Sequence, residues 1–341
     1  MLERVGMVRY ALGFLVLLEL VLCCSSCRTE GSPSPAHEYR LDRGGYSSGA
    51  NTLLLAVYPS GDIDSRLAAY DEEKQLMLAV PQPLDSPHYF AWTPRQAVFV
   101  ATWGDYRVLL YRKNASMDNY DGIPIRCPVR VSYDKCAWNP RGQWLAVVCD
   151  DMRGRGSVTK LGLYDLKEDN FVMTDVNVRT GGSLFWKDDT TLYAEKGHDG
   201  ILELQLESGI PKVVRTIPVE RMTSFYGMFG DRPLSRDDGG NLKLGDKTLI
   251  EVGGASHGHE VVATETTVFV SASPTNLVAF DSQGREIDRT NPGRPIHFGS
   301  IGKDQNTVYG VARSTLLRVS IVEGHLKIQE VGDLESVPYS N

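Results

Sequence analysis

The chain has 341 residues, a formal net charge of −7 and an apolar fraction of 42%. That length holds either two average domains or one large β-architecture, and the apolar share supports a packed core. A mildly acidic balance argues against nucleic acid as a generic partner.

The first 27 residues read as an export signal, apart from the fold. Arg4 and Arg9 form a short basic region, and Ala11 to Leu22 is a twelve-residue apolar run interrupted only by Glu19. That length suits the apolar part of a signal peptide and falls short of the roughly 20 residues of a spanning helix. Ser25 and Ser26 precede Cys27, a pattern similar to a bacterial lipobox, with Cys24 where Leu is usual. Three outcomes stay open: a mature chain lipidated at Cys27, a plain cleaved signal, or an uncleaved anchor. Glu19 weighs against the anchor, since a carboxylate in hydrocarbon costs about 2.5–3.5 kcal/mol. The expected address is the periplasm or cell envelope.

Residues 28 to 48, rich in Ser, Gly and Pro, read as a flexible linker. From 49 to 341 no helical period stands out. Short runs such as Ala97-Val98-Phe99-Val100, Leu145-Ala146-Val147-Val148 and Thr267-Val268-Phe269-Val270 lie between Gly, Pro, Asn and Asp. They predict strands of an all-β domain.

The runs repeat. A Trp, a tight turn and an apolar strand recur at Trp92, Trp138 and Trp186, each with an apolar residue six positions on. A second phrase ends an apolar strand in an aromatic–Asp pair: Tyr70-Asp71, Tyr164-Asp165 and Phe280-Asp281. Weaker copies fall near Tyr111, Leu206, Leu244 and Ile321. A unit near 40 residues, seven times over, predicts a β-propeller of seven four-stranded blades. The stretch from Ser224 to Gly254 is degenerate, so six blades stay open.

Trp138-Asn139-Pro140-Arg141-Gly142 is the nearest copy of the W-S-P-D-G phrase, and the chain from about 48 to 335 resembles the WD-like repeats of bacterial Tol-type propellers. The resemblance implies the fold. It implies little about function, because such repeats serve many tasks.

Counting strands A to D outward from the axis, the Trp turn joins A to B and the aromatic–Asp turn joins C to D. Both lie on one face. The B–C and D–A loops then share the other, and they carry Asp62, Asp64, Trp103, Asp105, Asp150, Asp151, Arg153, Arg155, His198, Asp199, His257, Arg294 and Arg313. Irregular loops on a rigid frame are where binding residues concentrate. A solvated rim is the alternative for each.

No catalytic set is coherent. Gly254-Ala255-Ser256-His257-Gly258 fits a nucleophile elbow, but a β-branched stretch follows it where a helix is needed. His257 and His259 could converge on a metal from one strand face, yet no further ligands are identifiable. Asp62-Ile63-Asp64 lacks the remaining ligands of a calcium loop. Asp188-Asp189 occupies a tight-turn position, a structural reason for Asp. Asn114-Ala115-Ser116 is a glycosylation sequon, relevant only to a eukaryotic secretory route. Cys127, Cys136 and Cys149 allow one disulfide, Cys127–Cys136, or read as three buried strand residues. No cofactor and no metal is expected.

The expected function is therefore a non-catalytic binding or scaffold protein for a protein or glycan partner at the B–C/D–A face, with membrane attachment through the N-terminal lipid. The rival is a propeller enzyme, a carbohydrate-active hydrolase or lyase, with an axial active site.

Overall fold

The computed structural model describes residues 39–41, 45–47, 52–59, 66–79, 89–92, 98–102, 108–113, 120–124, 131–151, 158–251, 260–272, 275–302, 304 and 306–336. The chain divides into two units, Met1–His37 and Glu38–Asn341. The first unit, with Cys27, lies outside the described residues, as do Cys127, the sequon and residues 252–259.

Each predicted apolar run becomes a strand, and the described residues carry seven antiparallel sheets in sequence order. Blade 3 is representative. Its strands are Val131–Trp138, Trp144–Asp151, Val158–Asp165 and Asn170–Asn177, each paired with the next. Blade 4 has Leu184–Trp186, Thr191–Glu195, Gly200–Glu207 and Ile210–Pro218. Blade 5 has Met222–Phe229, Arg232–Asp237, Leu242–Leu244 and Lys247–Ile250. Blade 6 has Glu260–Ala263, Thr267–Ala272, Asn276–Asp281 and Glu286–Thr290. Blade 7 has His297–Ile301, Val308–Ala312, Thr315–Val322 and His325–Asp333. Blade 2 runs Tyr89–Trp92, Val98–Thr102, Val108–Lys113 and Tyr120–Pro124.

Blade 1 departs from the pattern. Its B, C and D strands are Thr52–Pro59, Arg66–Asp71 and Leu76–Ala79. Its A strand comes as two pieces, Tyr39–Leu41 and Gly45–Ser47, which pair with opposite ends of Thr52–Pro59. Within the segment read as linker, residues 39–41 and 45–47 are strand.

The A strand of each blade lies beside the A strand of the next, and that of blade 7 returns to blade 1. Among the described residues the ring closes with seven sheets, a β-propeller with A strands innermost. The degenerate stretch is blade 5, whose C strand is only Leu242–Leu244.

The core lies between blades. Trp186, Leu192 and Ala194 of blade 4 pack with Ala146, Val148, Leu161 and Leu163 of blade 3. Tyr193, one residue over, packs the other way with Met222, Phe225 and Met228 of blade 5. The same alternation sends Val268 and Val270 toward blade 5 and Phe269 toward blade 7. Because both sheet faces are covered, the B strands read as unbroken apolar runs rather than as alternating ones. Cys136 and Cys149 are buried in the core, as the small-core-residue reading expects.

Trp186 sits at a blade joint. Trp186 is 7% exposed, and its indole Nε1 donates to the Ala137 carbonyl of blade 3 at 2.9 Å. Next to it, Asn139 Nδ2 donates to the Asp189 carbonyl at 3.0 Å, and Arg141 pairs with Asp189. The register refines the six-residue offset: Trp186 faces Leu192, but Trp138 faces Leu145 and Trp92 faces Phe99, one residue further on. Trp186→Ala should lower stability by about 3–5 kcal/mol. Trp186→Phe should cost less, about 1–3 kcal/mol, because it chiefly orphans the Ala137 carbonyl. Urea unfolding midpoints check both.

Candidate functional site

The two faces differ in how they use their polar side chains. On the A–B/C–D face, carboxylates bond the backbone of their own turns. Asp71 Oδ1 accepts the N–H groups of Glu73 and Lys74. Asp165 Oδ1 accepts that of Lys167 at 2.9 Å, and Asp281 Oδ1 those of Gln283 and Arg285. In the A–B turns Asp188 takes Thr190 and Thr191, Asp304 takes Asn306 and Thr307, and Asn139 takes Gln143 and Trp144. The repeat phrase is thus turn chemistry: a short side chain accepts from N–H groups two to five residues on, which replaces water at a tight reversal.

The B–C/D–A face is held by longer-range contacts. Glu195 ends the B strand of blade 4 at 3% exposure. Its Oε1 accepts the Ser183 and Phe225 N–H groups, both at 3.1 Å, and its Oε2 takes Arg179 Nη1 at 3.0 Å. Arg179 also donates to the Thr223 carbonyl at 3.1 Å. One carboxylate therefore ties the loop entering blade 4 to the first strand of blade 5. Gly182 is required beneath it, since a Cβ there would sit 2.8 Å from the Arg179 carbonyl oxygen. In the next loop, Asp237 accepts the N–H of Asn241 at 2.8 Å and pairs with Lys243 at 3.1 Å.

The predicted site residues fall as follows. His198 and Asp199 form the B–C loop of blade 4 and are exposed. The His198 carbonyl accepts the Met222 N–H at 2.7 Å, and its Nδ1 lies 3.0 Å from the Met222 carbonyl. A carbonyl only accepts, so Nδ1 carries the proton and Nε2 is left as the second position. The Asp199 carboxylate has no partner among the described residues. Arg294 lies between blades 6 and 7 and is neutralised by Glu330 at 2.7 Å. Arg313 is exposed in the B–C turn of blade 7 with φ 56°, unpartnered among the described residues. Asp150 and Asp151 end the B strand of blade 3, opposite Thr159 and Val158. Asp62, Asp64, Trp103, Asp105, Arg153, Arg155 and His257 lie outside the described residues. The described candidates come from blades 3, 4 and 7 and the loop before it, all at the expected face.

Sequence reasoning missed Arg179, Glu195 and a pair beside the axis. Glu260 and His297 each begin an A strand, in blades 6 and 7, and Glu260 Oε1 lies 3.3 Å from His297 Nδ1. The one local hint was a carboxylate, Glu195, closing an otherwise uncharged strand. Among the described residues no cluster of three or more metal-binding side chains occurs.

No family model and no curated protein matches the chain. Among solved structures it is similar to Raptor from Chaetomium thermophilum, with TM-score 0.55, 15% identity and 82% of this chain covered. The match spans only 28% of the Raptor chain. It is also similar to the computationally designed protein Ika8, with TM-score 0.54, 12% identity, and 86% and 88% of the two chains covered. The fold is a WD40-like β-propeller. At these identities the likeness speaks for fold alone.

The turn carboxylates set an acid response. At Asp71 the Lys74 N–H is the largest influence and holds the pKa below the ordinary value. At Asp188, Asp237, Asp281 and Asp304 burial pushes the pKa up, but the hydrogen bonds together outweigh it and hold it low. Folded values below the unfolded value of about 3.9 contribute stability above that pH. The contribution is lost as pH falls through the folded values. Urea midpoints should change little through these groups between about pH 5 and 7 and fall below about pH 4. A midpoint that holds at pH 3 would contradict the assignment.

Proposed function

We propose that this chain is an exported, envelope-associated propeller that acts as a non-catalytic scaffold and takes a protein or glycan partner on its B–C/D–A face. The observation that carries this reading is the contrast between faces. Asp71, Asp165, Asp188, Asp281 and Asp304 on the turn face are occupied by their own backbone, whereas His198 Nε2, the Asp199 carboxylate and the Arg313 guanidinium are exposed on the other face. A propeller commonly serves as a binding frame, and loops on a rigid frame carry recognition. The Ala11–Leu22 run and Ser26-Cys27 support export and lipid attachment.

The rival, a carbohydrate-active hydrolase or lyase, draws on the Glu260–His297 pair, since a carboxylate-oriented imidazole beside the axis is an acid–base arrangement. Arg313→Asn, chosen because Asn tolerates the left-handed backbone there, and Asp199→Ala separate the readings. Each should weaken partner capture from envelope extract about tenfold or more. Stability should shift by under about 0.5 kcal/mol. Lys187→Ala, on the turn face, should leave capture intact. The reverse pattern, or turnover of a glycan that depends on Glu260 and His297, would overturn the scaffold reading. Mass spectrometry of the mature chain should find a lipid-bearing N-terminus at Cys27; an unmodified Cys27 ends the lipoprotein proposal.

A further inference from the structure

The ring closes between blades 7 and 1, and the joint encloses space. A cavity of about 430 Å³ lies between the C–D turn of blade 1 and the A–B turn and outer strands of blade 7. That volume is within the roughly 300–1,000 Å³ of small-molecule sites. Tyr70, Tyr309 and Val331 supply its apolar wall. The remaining lining is five planar polar groups: the carboxylates of Glu72 and Asp304, the amides of Gln75 and Gln329, and the guanidinium of Arg318.

The fold holds these groups in place. Glu72 accepts the Tyr309 hydroxyl, which comes from the opposite blade. Asp304 accepts two backbone N–H groups and the Thr307 hydroxyl, and lies 3.6 Å from Arg318. Arg318 Nε is buried and has no hydrogen-bond partner among the described residues. Gln75 is set in a left-handed conformation, φ 51°, by the tight turn.

The mixture of signs selects the ligand. A phosphate would meet Glu72 and Asp304, and an ammonium group would meet Arg318. A hydroxyl both donates and accepts, and carboxylate, amide and guanidinium each offer two in-plane positions to a pair of adjacent hydroxyls. A polyol can bond to the open positions of these groups, chiefly on Glu72, Gln75, Gln329 and Arg318, without bringing a charge of its own to desolvate. We propose that this seam cavity binds a neutral saccharide of one or two sugar units and that the sugar clamps the first blade to the last. The proposal is independent of the loop-face reading.

The test is calorimetric titration and thermal melting of the full chain with glucose, N-acetylglucosamine and their β-1,4-linked dimers. At least one should bind saturably and raise Tm with concentration, because it binds the closed ring alone. Gln329→Leu and Gln75→Asn should each weaken binding about tenfold while leaving the ligand-free Tm unchanged. Should Gln329→Leu fail to fold, Gln75→Asn decides, since Asn tolerates the left-handed backbone. No saturable binding to the wild-type chain overturns the proposal, as does wild-type affinity in the folded variants. Loss of binding in Arg313→Asn but not in the seam variants would place the sugar on the loop face, overturning the seam site and leaving the loop-face reading standing.

Discussion

A propeller blade has two apolar faces and can cover neither by itself. Six of the seven joints here join blades consecutive in the chain, where proximity is supplied by the backbone. The seventh must bring together residues more than two hundred positions apart. Among the described residues each blade is built from a contiguous segment, with every strand pairing inside its own blade. Closure rests on side chains: Ala68 and Tyr70 of blade 1 against Tyr309, Val311 and Leu316 of blade 7, with Leu334 from the last turn. The Tyr70 and Tyr309 rings lie 5.9 Å apart at 51°, a tilted aromatic contact. The Leu334 N–H is fixed to the Ser314 carbonyl at 2.8 Å, which seats the chain end in the joint. Burial, and then Glu72, push the Tyr309 hydroxyl well above its ordinary pKa, so it remains a donor to Glu72 across the accessible pH range.

The remaining architecture follows from closure. With A strands ringed about the axis, the A–B and C–D turns collect on one face and the B–C and D–A loops, longer in blades 4 and 5, on the other. Short turns need local acceptors, and Asp or Asn supplies them from within the same few residues. Longer loops leave backbone groups that only distant partners reach, and Glu195 is the clearest case, serving Ser183, Phe225 and Arg179 together. The division between a self-satisfied face and one with polar groups left exposed is therefore a product of loop length. Sugar recognition at the seam and partner recognition at the loops would use different surfaces of one frame.

The fold was legible because its repeat is written in local chemistry. All seven positions read from the aromatic–Asp phrase and its weaker copies fall within C strands of consecutive blades, and in blades 1, 3 and 6 the Asp of the phrase accepts its own turn's N–H groups. Blade 5 was nearly illegible because its C strand has three residues and its turn uses Gly245 in a left-handed conformation in place of Asp. The broken first strand read as linker because Tyr39–Leu41 and Gly45–Ser47 owe their structure to Thr52–Pro59 rather than to their own pattern. Site residues divide on the same line. The B–C positions of His198, Asp199 and Arg313 were legible because loop position follows from register. Glu195 with Phe225, Glu260 with His297, and Glu72 with Tyr309 were missed because their meetings are 30, 37 and 237 residues apart. Periodicity carries no information about such pairs.

Closure can be read from the far side of the ring. All five tryptophans lie between residues 92 and 186, in blades 2 to 4, away from the joint between blades 7 and 1. Leu316 is fully buried in that joint, and Leu316→Ala should remove about 2–5 kcal/mol. Urea unfolding followed by tryptophan fluorescence is the direct measurement. If the ring stands or falls with its seventh joint, the fluorescence midpoint of Leu316→Ala drops and coincides with the loss of strand circular dichroism. A fluorescence midpoint unchanged from wild type, with only part of the circular dichroism lost early, would mean the blades hold without closure and would contradict the account.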